Sequence, residues 1–236
     1  MKKIINTLAL VIGLASFTVG QSIDQSFYQR VDALLKANVS SGSVNYSSLK
    51  SNSELATLIE VIANADISDL ESKSVQAFYI NAYNLNVINQ IINNLPLNSV
   101  MDVAGFFDQN QITVAKSQMT LNQLEKDRLL SKYNDPRFHF AVVCGAIGCP
   151  PITDFAYTPE KLEAQLQQQT QAAMNNPEFI KTSGGQVELS QIFNWYASDF
   201  GGNDQIISYI NQYRSSPLDA STGLNYYEYD WSLNGK

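Results

Sequence analysis

Apolar residues recur at helical spacing from the start of the polar part of the chain: Phe27, Val31, Leu34 and Leu35, and then Leu55, Leu58, Ile59 and Ile62. Between these two helices SSGSVNYSSL carries Gly42, which opens a short extended piece. The longest apolar-periodic segment runs from Val75 to Leu95 and stops before Pro96, because the residue ahead of a proline is steered out of helical conformation. ITVAKSQMTL, from Ile112 to Leu121, predicts a tight hairpin or bent strand. Thr120 with Gln123 makes a capping box that starts a helix ending near Tyr133, ahead of Asp135 and Pro136. Phe138 to Val143 is aromatic and β-branched with almost no charge, which predicts a buried central strand broken at Gly145. Thr158 and Pro159 predict a helix start running through about Met174. Phe179 to Thr182 and Val187 to Leu189 flank a turn at Gly184 and Gly185, and IFNWYASDF and Ile206 to Tyr213 predict the last helices before an aromatic tail, NYYEYDWSLN. The fold class expected is α+β, a single helix-rich domain with a small central sheet.

Composition adds a location and removes some partners. Residues 1–20 place Lys2 and Lys3 ahead of an apolar stretch from Leu8 to Ala15 and then small residues, the order of a secretory signal peptide, with cleavage after Gly20. The stretch is shorter than the ~20 residues of a spanning helix, no Cys follows it to carry lipid, and no later segment is long and apolar enough to span a bilayer. The expected product, residues 21–236, is exported to the periplasm or secreted, with no membrane span in the mature chain. Charged residues make up only 16%, and 22 Asn and 18 Gln supply much of the polar surface. The net charge is −7, and cleavage would remove two Lys and no acid. Such a chain lacks the clustered Lys and Arg that bind a phosphate backbone, so no nucleic acid partner is expected.

The candidate chemistry sits where polar groups interrupt the apolar pattern. Wound at 3.6 residues per turn, the long helix aligns Ile80, Asn84, Val87 and Ile91, with Ala77, Asn81, Leu85 and Ile88 beside them. Asn81 and Asn84 are therefore buried amides that must find partners, either pinning a loop or strand end or holding a catalytic group or a substrate carbonyl. Leu121, Glu125 and Leu129 are four apart, so Glu125 lies on the buried side of its helix, paired with Arg128 or Arg137 or serving as an acid or base.

His139 is the only histidine. In a regular strand its side chain leaves on the face opposite to Phe138, Phe140 and Cys144, so a direct His139–Cys144 pair requires that the strand end early or bulge. Otherwise His139 is a core residue bonded to a backbone carbonyl or to Glu125. Cys144 and Cys149 are the only cysteines; in an exported protein they are most simply a disulfide. The alternative is Cys144 as a nucleophile whose thiolate rests on the amides of the Gly-rich turn. The CxxxxC spacing is weak as a redox signal, and two Cys with one His fall short of a metal site. No cofactor motif is present.

AFYINAYNLNVI, DPRFHFAVVCGAIGCPPI with AYTPEKLEAQL after it, LSQIFNWYASDFG and the closing YDWSLN together resemble the domain-of-unknown-function family numbered 547. The resemblance spans about Ala77 to Asn234. It places Asn81 and Asn84 in the family's INAYN motif, Glu125 at its acid after LxxLE, and His139, Cys144 and Cys149 in its HFAxxCxxxGCP motif. Trp195, Tyr196 and Asp199 match its WYxxDF block. The chain departs from the family pattern at Val143 and Gly145 beside the first Cys and at Lys126 and Asp127 after the acid.

Two classes of function follow. One is a non-catalytic binding or structural envelope protein with a Cys144/Cys149 bridge, its Tyr, Asn and Gln suited to a small molecule, glycan or peptide. The other is an enzyme: a thiol-dependent hydrolase or acyltransferase using Cys144 with His139 or Glu125 and an Asn81 or Asn84 donor, or a metal-free hydrolase of Glu125 and His139 alone. The enzyme reading requires Asn81, Glu125, His139 and Cys144 to converge in one cleft.

Overall fold

A computed structural model describes residues 21–219, 221 and 223–236. The leader expected at residues 1–20 lies outside them. Helices Gln25–Asn38 and Ser53–Asn64 start on side-chain caps from Asp24 and Asn52 and pack with the long helix Ser72–Asn94 at the centre. That central helix is buried around nearly its whole circumference, including Asn81, Asn84 and Asn86, as befits a helix surrounded by other elements. The helix-rich α+β single domain expected from the sequence is present. Its strands form several small sheets: Val39–Ser40 with Ser43–Val44, Ile112–Val114 with Ser117–Met119, and Ile180–Ser183 with Gln186–Leu189 and, in parallel, Asn225–Tyr226. The 112–119 hairpin turns on Ala115 and Lys116, both at positive φ (48° and 64°), the conformation that matches the twist of the strands it joins.

The strand expected at Phe138 to Val143 is not there. Pro136–Phe140 is a 3₁₀ turn, started by Asp135, whose side chain accepts the Arg137 N–H, and the chain then continues as a loop. Phe138 and Phe140 are indeed buried, at 0% exposure. An uncharged aromatic run reports burial, not conformation, and here the central helix supplies the cover that flanking strands would have supplied. Phe138 joins the apolar cluster around the central helix, whereas Phe140 joins a second one with Phe179, Phe193 and Phe200, so this segment links the two clusters. Two further differences are local. The helix expected from Thr158 spans Leu162–Asn175, because the Gln165 side chain instead bonds the Thr158 N–H and the Ala156 carbonyl in a turn. The helix begun by the Thr120–Gln123 capping box becomes π-helical over Leu124–Leu130 before ending at Asn134 in the left-handed region.

Asn81 and Asn84 of the central helix both hold loops. Asn84 Nδ2 donates to the Ala141 carbonyl and its Oδ1 accepts from Val143 N–H, each at 2.9 Å. Asn81 likewise donates to the Tyr157 carbonyl (2.8 Å) and accepts from Tyr157 N–H (3.1 Å). Asn86, by contrast, donates only within its own helix, to the Ala82 carbonyl. Asn84→Ala therefore strands two buried backbone groups at about 1–3 kcal/mol each. Urea unfolding should show a loss of about 2–5 kcal/mol for Asn84→Ala and a clearly smaller one for Asn86→Ala; equal losses would contradict this role for Asn84.

Candidate functional site

The π-helical turn presents Glu125, the 3₁₀ turn presents His139 and the loop after it presents Cys144. All three line one cavity of about 640 Å³. Arg137 steadies the 3₁₀ turn by bonding Asp135 with Nε (2.9 Å) and Glu163, on the Leu162–Asn175 helix, with a terminal nitrogen (2.6 Å). Glu125 thus has neither arginine as partner. Its carboxylate accepts from the Tyr83 hydroxyl (3.3 Å) and faces His139 Nδ1 at 3.7 Å. Burial pushes the Glu125 carboxyl above its ordinary range, while His139 and the Tyr196 and Tyr83 hydroxyls work in the opposite sense.

His139 Nε2 stands 2.8 Å from Asp199 Oδ2. The hydrogen bond to His139 holds the Asp199 carboxyl below its ordinary range, so the ionised oxygen accepts and the hydrogen lies on Nε2. That leaves Nδ1 toward Glu125, and the ring is held against Tyr196 at 4.1 Å between centroids. The row Glu125–His139–Asp199 thus sets an imidazole between a buried carboxyl and a partly exposed one, at hydrogen-bond distance to Asp199 alone.

Cys144 and Cys149 stand at disulfide distance, and no free cysteine occurs among the described residues. The Cys144 N–H donates to Cys149 Sγ at 2.9 Å, and Cys144 Sγ lies 3.2 Å from Tyr229 Oη. With the strand replaced by a turn, His139 and Cys144 open into the same cavity, although no hydrogen bond joins them. Asn81 and Asn84 do not reach it; Asn84 frames it by fixing the backbone between His139 and Cys144.

The opposite wall comes from parts of the chain to which the sequence reading gave no role. Residues 230–234 run along the cysteine turn, with Ile147 N–H and Gly148 N–H donating to the Ser232 and Asp230 carbonyls (both 2.8 Å) and Asn234 N–H to Gly145 (3.0 Å). This places Tyr229 and Trp231 beside Trp195, with ring centroids 4.7–5.8 Å apart. The aromatic density of YYEYDW was the available signal. Among the described residues no group of three or more His, Cys, Asp and Glu is placed to hold a metal, and no helix is long and apolar enough to cross a membrane.

Residues 67–172 match the family model described as "Protein of unknown function, DUF547". That stretch, just under half of the chain, is a DUF547 region. The matched stretch holds the central helix, Glu125, His139 and both cysteines, whereas Trp195, Tyr196, Asp199 and the tail lie beyond it. No curated protein and no solved structure matches the chain. The DUF547 match carries no activity with it, so chemistry must be argued from the cavity itself.

The two carboxyls respond to pH in opposite ways. Between the ordinary Glu value of 4.5 and its raised folded value, Glu125 keeps more proton in the native state than in the unfolded chain, so its contribution to stability falls as pH rises. Asp199 contributes stability above 3.8 that is lost as pH falls toward its lowered folded value. Urea melts from pH 4 upward should show Glu125→Gln gaining on the wild type as pH rises past about 4.5. A constant difference across that range would mean that Glu125 ionises in the fold as it does in water.

Proposed function

We propose that this protein is an exported binding protein that holds an extended polypeptide segment across the aromatic cavity, with the Cys144–Cys149 bridge as part of the wall. Export is supported by the order of the first 20 residues. The observation that carries the binding reading is the placement of apolar surface. Met101 and Trp195, large hydrophobics exposed at 57% and 48%, both line the cavity, together with the rings of Tyr229 and Trp231. Exposed apolar groups rimming a concave, partly polar floor are what a docking site for side chains requires. Glu125 and His139 on the floor offer acceptors and donors to a peptide's polar groups.

A metal-free hydrolase is the second reading, favoured by the raised Glu125 carboxyl facing a histidine that Asp199 orients. A Cys144 nucleophile has less support, since its sulfur stands at disulfide distance from that of Cys149.

Trp195 and Trp231 are the only two tryptophans and both line the cavity, so tryptophan fluorescence reports on it directly. Reduced, carboxamidomethylated ribonuclease A, an unfolded polypeptide free of tryptophan, should shift that emission saturably and remain intact. Trp195→Ala should weaken binding, measured by anisotropy of the labelled polypeptide, about tenfold, the effect of losing one aromatic anchor. Absence of saturable binding would overturn the proposal; cleavage that disappears in Glu125→Gln would replace it with the hydrolase.

A further inference from the structure

We infer that the Cys144–Cys149 bridge is a thiol–disulfide exchange centre that oxidises cysteine pairs in polypeptides docked at this cavity. The inference rests on the polypeptide-binding reading for its substrate and goes beyond it in chemistry. Both cysteines are half-buried and both line the cavity, so the bridge is reachable from the place where a segment would lie.

The backbone around the bridge is held without it. Val143 is tied to Asn84, Gly145 and Ile147 to the tail at Asn234 and Ser232, and Gly148 to Asp230. Gly145 sits at φ 78°, and a Cβ there would come within 2.6 Å of Ile91 Cδ1, so the turn is seated against the central helix by its own backbone. Opening the sulfur–sulfur bond therefore leaves the two cysteines in place to close it again.

The two sulfurs are not equivalent. Cys149 Sγ already accepts the Cys144 N–H at 2.9 Å, an amide donor that stabilises a thiolate and makes Cys149 the leaving sulfur. Cys144 Sγ, beside the Tyr229 hydroxyl at 3.2 Å, is then the sulfur attacked. In the first step a substrate thiolate forms a bond to Cys144 Sγ, the Cys144–Cys149 bond breaks, and its electron pair remains on Cys149 Sγ. In the second, another thiolate of the same substrate attacks the substrate sulfur of this mixed disulfide. The bond to Cys144 breaks and its electron pair returns to Cys144 Sγ, where the Tyr229 hydroxyl can donate a hydrogen bond. The two protons given up by the substrate thiols end on Cys144 and Cys149. The substrate dithiol is oxidised by two electrons and the bridge is reduced by two, so a single turnover needs no other oxidant.

The test is one turnover of the full, oxidised protein with excess reduced ribonuclease A, its thiols free, stopped with acid, alkylated and mapped by mass spectrometry, with tryptophan emission followed in parallel. The expected result is a transient adduct on Cys144 and not on Cys149, followed by reduction of the bridge. Trp195→Ala, which removes the docking anchor, should slow the reaction with the polypeptide about tenfold. Cys149→Ser, which has no bridge to open, should neither form an adduct with the reduced polypeptide nor oxidise it, and mapping the unmodified protein stands independently of how well that variant folds. A bridge that stays closed while the emission shift persists overturns the exchange and leaves the binding reading standing. A closed bridge with no emission shift overturns both, and an adduct that forms first on Cys149 overturns the assignment of the attacked sulfur.

Discussion

The side-chain amide of Asn84 does for residues 141–143 what a neighbouring strand would do: it accepts one N–H and donates to one carbonyl on either side of Val142. The arrangement around the cavity depends on that exchange of a side chain for a strand. A strand beside the central helix would have carried His139 and Cys144 to opposite faces. A turn and loop pinned by an amide turn both toward one space, and because the amide sits on a helix buried all round, it has little freedom to let them go. Asn81 repeats the device at Tyr157, so the helix fixes two separate loops by the same chemistry.

Local periodicity made much of this legible in the sequence. The long helix, the loop-holding amides Asn81 and Asn84, the capping box, the hairpin at 112–119 and the pairing of the two cysteines at disulfide distance were each readable from a handful of adjacent residues. The failure at 138–143 has a definite cause: Phe138, Phe140 and Val142 are as buried as strand residues would be, and only the bonding of their backbone distinguishes the two cases. The π-helical turn at Glu125 likewise leaves no mark on the pattern, since Leu121, Glu125 and Leu129 face inward either way. The partners of the site were illegible for another reason. Tyr83 meets Glu125 across 42 residues, Asp199 meets His139 across 60, and Tyr229 meets Cys144 across 85. No period connects such positions; the WYxxDF and YDW segments indicated only that something aromatic and acidic lay there.

Electrostatically the cavity floor is graded. Glu125 is sealed among tyrosine hydroxyls, and burial there disfavours its charge; Asp199 stands partly in solvent, and its bond to His139 favours its charge. The imidazole stands between a carboxyl that resists ionisation and one that prefers it. The same geometry serves a hydrogen-bonding floor for a bound peptide or the acid and base of a hydrolase, so the site residues are common to both readings and the difference between them lies in what the ligand brings.

The wall formed by Tyr229 and Trp231 has a consequence for the order of assembly. Cys144 and Cys149 are five residues apart and meet across their own short turn, whereas the surface they face is contributed by residues 229–231, about 80 residues further along the chain. Without residues 229–231 folded back over the turn, the cavity would lack the wall that faces the sulfurs, so the chamber is complete only when the far end of the chain is in place.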